Sequence, residues 1–218
     1  MAFIVFEGGE GTGKSTQIRL LSEWLTSKGC SCVCTREPGG TPFAEQIRGL
    51  FKAVNTHGDT PLPLTELLMV MAARAQHLGA FVGPSLAAGR WVLCDRFLDS
   101  SYVYQGIRGG LPKSQIDTVA EIALGSLFPN LTLVLHLPQD EARRRMMGRG
   151  AVDADRLDAE SDAVHQVIAD GFLRMVQEQT PWFRGKVPLR VLIDASGTVE
   201  NVHEQICAEV AKHLDVKP

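Results

Sequence analysis

The chain has 218 residues, 44 % of them hydrophobic, and a formal net charge of −3. That length and apolar content predict one domain with a sizeable core, and the near-neutral balance excludes a general electrostatic affinity for nucleic acid or anionic lipid. No apolar run is long enough to span a membrane, and Met1 leads into an apolar run with no basic segment or cleavage site, so the sequence predicts a cytoplasmic protein.

Ala2, Phe3, Ile4, Val5 and Phe6 form a short apolar run suited to a buried strand, and Ile18, Leu21 and Leu25 recur at helical spacing from Thr16 onward. Between them stands Gly8-Gly9-Glu10-Gly11-Thr12-Gly13-Lys14-Ser15, which fits the phosphate-loop pattern. Its glycines permit positive φ and let consecutive backbone N–H groups converge on phosphate oxygens. Lys14 is placed to bridge the outer phosphates of a nucleoside triphosphate, and Ser15, followed by Thr16, to offer a hydroxyl to Mg²⁺.

Gly29 ends the first helix and residues 31–35 supply a second strand. Five cysteines, among them the alternating Cys30, Cys32 and Cys34, read as reduced thiols that serve as small buried hydrophobes. Neither they nor the scattered histidines have ligand spacing, so no metal is assigned to them. Thr41 is placed to cap a helix with Pro42 at its first position and Phe43, Ile47, Leu50, Phe51 and Val54 as its apolar stripe. A second helix over residues 64–78 carries Leu67, Leu68, Met71 and Ala75 on one side, and Pro84 starts a further one ending at Gly89.

Trp91 to Cys94 and residues 131–137 read as buried strands, the first closing on Asp95-Arg96. Between them the pattern predicts a loop over residues 97–111, then a helix from Pro112 with Ile116, Val119, Ile122 and Ala123 inward. Helices over 140–147, 158–179 and 198–213 and a strand over 189–193 complete the chain. Alternating strands and helices predict an α/β fold, a five-stranded parallel sheet with helices on both faces. Ligands in such a sheet gather beyond the strands' C-terminal ends, so the phosphate loop, Arg36-Glu37-Pro38, Asp95-Arg96 and Asp194-Ala195-Ser196-Gly197 are expected to meet at one edge. Asp95 is then a candidate Mg²⁺ partner beside Ser15, and Arg96 a bidentate holder of an acceptor phosphate.

Three stretches resemble the bacterial thymidylate kinases, within the nucleoside monophosphate kinases: Phe6 through Thr16, Thr35-Arg36-Glu37-Pro38-Gly39-Gly40-Thr41, and Asp95 through Gly106. The resemblance covers nearly the whole chain. It implies ATP-dependent phosphorylation of dTMP to dTDP with Mg²⁺, in a homodimer with no nucleic-acid or membrane partner. It also implies that Glu10 contacts the acceptor sugar and phosphate, that Arg96 holds that phosphate, that Arg74 and Ser101 read the thymine, and that Tyr104 crowds the sugar 2′ position. Arg36, Ser100 and Gln105 complete the implied substrate set. A lid over about residues 143–157 is implied as well, with Arg149 and next Arg145 supplying the charge that a phosphate-loop arginine gives in some relatives; the role of Asp155-Arg156 stays open. Two departures stand out: Val70 where most relatives stack a Phe on thymine, and Met147 where a third lid arginine is common. The alternatives are a monophosphate kinase of other or broader base preference and a nucleotide-dependent regulatory switch; the chain has no guanine-reading Asn-Lys-x-Asp stretch.

Overall fold

The computed structural model describes residues 1–53, 60–147 and 160–216. Strands β1 (Phe3–Glu7), β2 (Cys32–Arg36), β3 (Trp91–Asp95), β4 (Leu131–His136) and β5 (Arg190–Asp194) form one parallel sheet in the order β2-β3-β1-β4-β5. Parallel strands need crossovers, which cover both faces with helices and select apolar residues at every position instead of every other one. β1 shows the result: Phe3 and Val5 join Val92, Cys94 and Val134 in one core, while Ile4 and Phe6 join Leu93, Leu133 and Leu135 in the other.

Helix α1 (Lys14–Ser27) covers the second of these faces through Ile18, Leu21 and Leu25, beside the last helix, which brings Val202, Ile206 and Val210. The opposite face is covered by α3 (Pro63–His77), which α2 (Pro42–Lys52) packs against. Thr41 caps α2 as expected, its hydroxyl accepting from Ala44 N at 3.2 Å. After α3 the chain continues through a wider-wound turn, Leu78–Val82, into α4 (Gly83–Ala87). Beyond β3 come α5 (Leu98–Ser101) and a second wide-wound segment, Tyr102–Arg108, then α6 (Lys113–Leu124), α7 (Gln139–Met147), α8 (Asp162–Gln177) and α9 (Val199–His213).

The expected strands are all present, and the expected helices differ in four places. The segment expected as a loop over 97–111 is mostly helical, because the buried Glu7 carboxylate at the end of β1 accepts from Phe97 N at 2.8 Å and Ser100 N at 3.1 Å and so caps α5 from 90 residues away. The α2 stripe divides: Phe43 and Leu50 are exposed and Ile47 is half-buried, whereas Phe51 is buried as expected, together with Ala44. On α3 the buried face holds Leu67, Val70, Met71, Arg74 and His77, leaving Leu68 and Ala75 exposed, and on α6 Ile122 is exposed. Cys34 is exposed too, since β2 is an edge strand. Val54 and residues 158–159, at the ends of two expected helices, lie outside the described residues.

Candidate active site

Gly8, Gly11 and Gly13 take φ of 135°, 76° and 90°, conformations that side chains disfavour. Close approach adds to this at Gly11, where a Cβ would stand 2.6 Å from Ala142 O. Thr12 Oγ1 donates to Gly9 O at 3.0 Å and closes the loop on itself. Lys14, the first residue of α1, is buried and folds back so that Nζ donates to Gly8 O at 3.1 Å and Gly9 O at 2.8 Å. Burial and the nearby Arg96 lower its pKa, while Glu10, Asp95 and Glu7 oppose that and keep the ammonium among counter-charges.

Ser15 Oγ lies 3.4 Å from Asp95 Oδ2, and Asp95 Oδ1 is buried without a hydrogen-bond partner. A hydroxyl and a carboxylate with an unused oxygen are the hard donors that Mg²⁺ takes, so these residues fit the ion.

One residue on, Arg96 adopts φ of 69°, in the left-handed region, while its N donates to Phe6 O at 2.8 Å. Such strain costs on the order of 1–3 kcal/mol and is held only where surroundings fix it. Here it turns the guanidinium back over the phosphate loop: Nη1 reaches Gly8 O and Ser100 Oγ, each at 3.3 Å, and Nη2 pairs with Glu10 Oε1. The Tyr104 ring lies 5.1 Å from the Arg96 guanidinium, and its hydroxyl donates to Glu10 Oε1 at 3.2 Å. Burial would raise the Glu10 pKa, but Arg96, Lys14 and the Tyr104 hydroxyl bring it down to about 2. Burial pushes the Tyr104 phenol up; Arg96 opposes this and Glu10 adds to it. Glu7, under Ser100, is raised to about 7 by burial and by Asp99.

These groups line a cleft of about 380 Å³, together with Arg36, Arg74, Ser100, Ser101 and Gln105. Arg74 is buried, Nε donating to Glu37 Oε2 at 2.5 Å, Nη1 to Ser101 Oγ at 3.1 Å and Nη2 to Phe97 O at 2.8 Å, with the Phe97 ring 5.0 Å away. Arg36 is exposed and pairs with Glu45 at 3.0 Å; Gln105 donates to the buried Glu66 at 3.3 Å.

A second cavity of about 380 Å³ opens on the other side of the phosphate loop, lined by Gly11, Thr12, Gly13, Thr16, Arg145 and Gly197 among others. The four expected segments therefore meet at one sheet edge but in two cavities that share the loop as a wall. Strand order is the cause: β1 is central, β2 and β3 lie to one side, and β5 to the other. Arg145 lines the second cavity and pairs with Glu141 at 3.0 Å; Arg149, Asp155 and Arg156 lie outside the described residues. Sequence reasoning gave no role to Glu7, Glu37, His77, Glu66 or Arg48, nor a cleft role to Phe51. A buried acid or histidine is recognisable only through partners far along the chain; of these residues Glu7, after Phe6, and Glu37, beside Pro38-Gly39-Gly40, stood in stretches already singled out.

The family model for thymidylate kinase matches residues 6–206. The chain belongs to the thymidylate kinase family. It is 44 % identical over 211 residues to a thymidylate kinase of Marinomonas sp. (strain MWYL1), covering 96 % of this chain and 94 % of that one. The corresponding enzyme of Symbiobacterium thermophilum is 43 % identical over 205 residues, covering 94 % and 90 %. The crystal structure of thymidylate kinase from Ehrlichia chaffeensis superposes with a TM-score of 0.70 at 30 % identity, covering 96 % of this chain and 98 % of that one. The chain is thus a phosphotransferase with the thymidylate kinase fold.

Proposed function

We propose that the protein transfers the γ-phosphoryl group of ATP to dTMP, giving ADP and dTDP, as a cytoplasmic Mg²⁺-dependent homodimer. The observation that carries this reading is that one cleft is lined by groups joined in a sequence of contacts: Lys14 and Arg96 both reach Gly8 O, Arg96 reaches Glu10, Tyr104 and Ser100, and Ser101, next in the chain, accepts from Arg74. The sequence matches a triphosphate, an acceptor phosphate, a deoxyribose and a base.

The phosphate loop and Lys14 bind the donor phosphates, and Arg96 orients the acceptor phosphate for in-line attack, leaving Glu10 beside the sugar. The reaction then needs positioning and charge, with no covalent intermediate. Ser15 and Asp95 would hold Mg²⁺, which supplies charge neutralisation at the donor phosphates when bound. Arg149, with Arg145, is assigned the charge over the migrating group, in a lid over about residues 143–157. Arg74 only donates hydrogen bonds, so it suits a base carbonyl and opposes an amino group at the same place, while the Ser101 hydroxyl accepts from the base N3–H. Phosphorus NMR tests the reaction: ATP with dTMP is expected to give ADP and the β-phosphate signal of dTDP in equal amounts, and chelation by EDTA to stop both. ADP formed without dTDP would contradict the proposal.

Tyr104→Ala is expected to raise activity on UMP relative to dUMP, since the ring occupies space a 2′-hydroxyl would need. The ratio is the useful quantity, because the same truncation also frees Glu10 and Arg96. An unchanged ratio removes the sugar role of Tyr104.

Val70 and Phe51 both line the cleft, whereas Phe43 does not. Aromatic stacking on a base is worth about 1–3 kcal/mol, of which valine offers only part. Val70→Phe is therefore expected to lower the KM for dTMP several-fold with kcat little changed, as uniform binding requires. A raised KM would identify Phe51 as the ring already filling that place.

The exposed Phe43, Leu50, Leu64 and Leu68 on α2 and α3 give a second copy of the chain an apolar face to cover. Sedimentation at about twice the chain mass of 23.8 kDa checks the dimer.

A further inference from the structure

Behind Arg74 lies a buried polar chain that the proposed reaction does not use. The Glu37 carboxylate divides its oxygens, Oε2 to Arg74 at 2.5 Å and Oε1 to His77 Nδ1 at 3.0 Å. Burial would favour protonating Glu37, but Arg74 and His77 hold its pKa below the usual carboxylate range. A carboxylate only accepts, so His77 carries a proton on Nδ1, and Nε2 lies within hydrogen-bond distance of the Thr35 hydroxyl, at 2.7 Å. The imidazole is fully buried and stacks on Phe81 with ring centroids 5.9 Å apart. Gly40 leaves it room: a Cβ there would stand 2.6 Å from the ring. The end of β2, the loop after it, α3 and the loop after β3 are thus tied together around one guanidinium.

We propose that His77 is a positioning residue which, through Glu37, sets the pose of Arg74 and so the preference for a pyrimidine carrying a carbonyl at C4 over one carrying an amino group there. The inference rests on the reading of Arg74 as the base-contacting arginine. A guanidinium donates and never accepts, so the direction of its N–H groups decides the selectivity: toward thymine O4 it gains a hydrogen bond, toward the cytosine amino group it opposes donor to donor. Of the groups holding Arg74, Glu37 alone is charged. The terminal torsion of a glutamate is broad, and the His77 N–H is what fixes it here by occupying Oε1. With that bond removed the carboxylate turns, offers both oxygens to Arg74 and draws the guanidinium away from Ser101 and the cleft.

The test is the ratio of kcat/KM for dTMP to that for dCMP in His77→Asn, His77→Gln and His77→Phe, with thermal melting as a check on folding. Asn places an amide N–H near the Nδ1 position, whereas Gln places its amide near Nε2. His77→Asn is expected to keep the ratio within about twofold, and His77→Gln and His77→Phe to lower it roughly tenfold, the worth of a lost hydrogen bond to a charged group. The loss is expected in the KM for dTMP, with the KM for ATP unchanged. A role in packing alone would lower activity on both nucleotides equally, and that result, or a Gln variant as selective as the Asn variant, overturns the inference. If His77→Phe does not fold, the Asn and Gln pair decides by the same criterion. Arg74→Lys separates the two levels: an unchanged ratio there removes the base-reading role of Arg74 itself, whereas a collapsed ratio there with unaffected His77→Gln and His77→Phe variants removes only the inference about His77.

Discussion

Lys14→Ala is expected to lower phosphoryl transfer by roughly 10³-fold or more while leaving the fold in place, because the ammonium serves charge that develops on transferring phosphate. Among the described residues Nζ hydrogen-bonds the carbonyls of Gly8 and Gly9 within the loop, so its removal frees two acceptors next to the cleft. The loop conformation itself is set by Gly8, Gly11 and Gly13 and by the Thr12 to Gly9 bond, which the substitution leaves alone. ADP release measured beside thermal melting checks both halves. Near-normal turnover would remove Lys14 from the reaction, and a collapsed melting transition would make it structural.

The second large effect is expected at Arg96. Arg96→Ala should lower kcat/KM for dTMP by roughly 10³-fold, as loss of the proposed bidentate phosphate contact implies, with the KM for ATP changed little. The guanidinium is committed on every side, to Gly8 O, Ser100 Oγ, Glu10 and the face of Tyr104, and it reaches them only because the backbone accepts φ of 69°. In the proposed reaction an acceptor phosphate takes the place of the Glu10 carboxylate as counter-charge to Arg96. Steady-state kinetics with each substrate varied in turn gives the split; an equal rise in the KM for ATP would place Arg96 on the donor side instead.

The parts of the fold legible in the sequence are those governed by local pattern. Strands β1, β3 and β4 are near-continuous apolar runs because both sheet faces are covered, and the phosphate loop is a short-range glycine pattern whose geometry needs no distant partner. The helix at Leu98–Ser101 was illegible because its cap is Glu7, on another strand. The α2 stripe gave a helix correctly but not which way it faces: Phe43 and Leu50 have the same spacing whether a core or a second subunit covers them. The site divides the same way. Glu10, Arg74, Arg96, Ser101 and Tyr104 do gather in one cleft. Thr35 and His77, 42 residues apart, meet only in three dimensions, and a histidine on a helix shows nothing of the carboxylate it will find.

ADP release measured with ATP and Mg²⁺ against dTMP, dUMP, dGMP, dCMP, UMP and AMP decides whether this cleft accepts a thymine monophosphate and passes it a phosphoryl group. No release is expected with ATP alone, the highest kcat/KM with dTMP, lower values with dUMP and UMP in that order, and near-background rates with dCMP, dGMP and AMP. Release without a monophosphate, or equal rates with dTMP and dCMP, would contradict the proposed function.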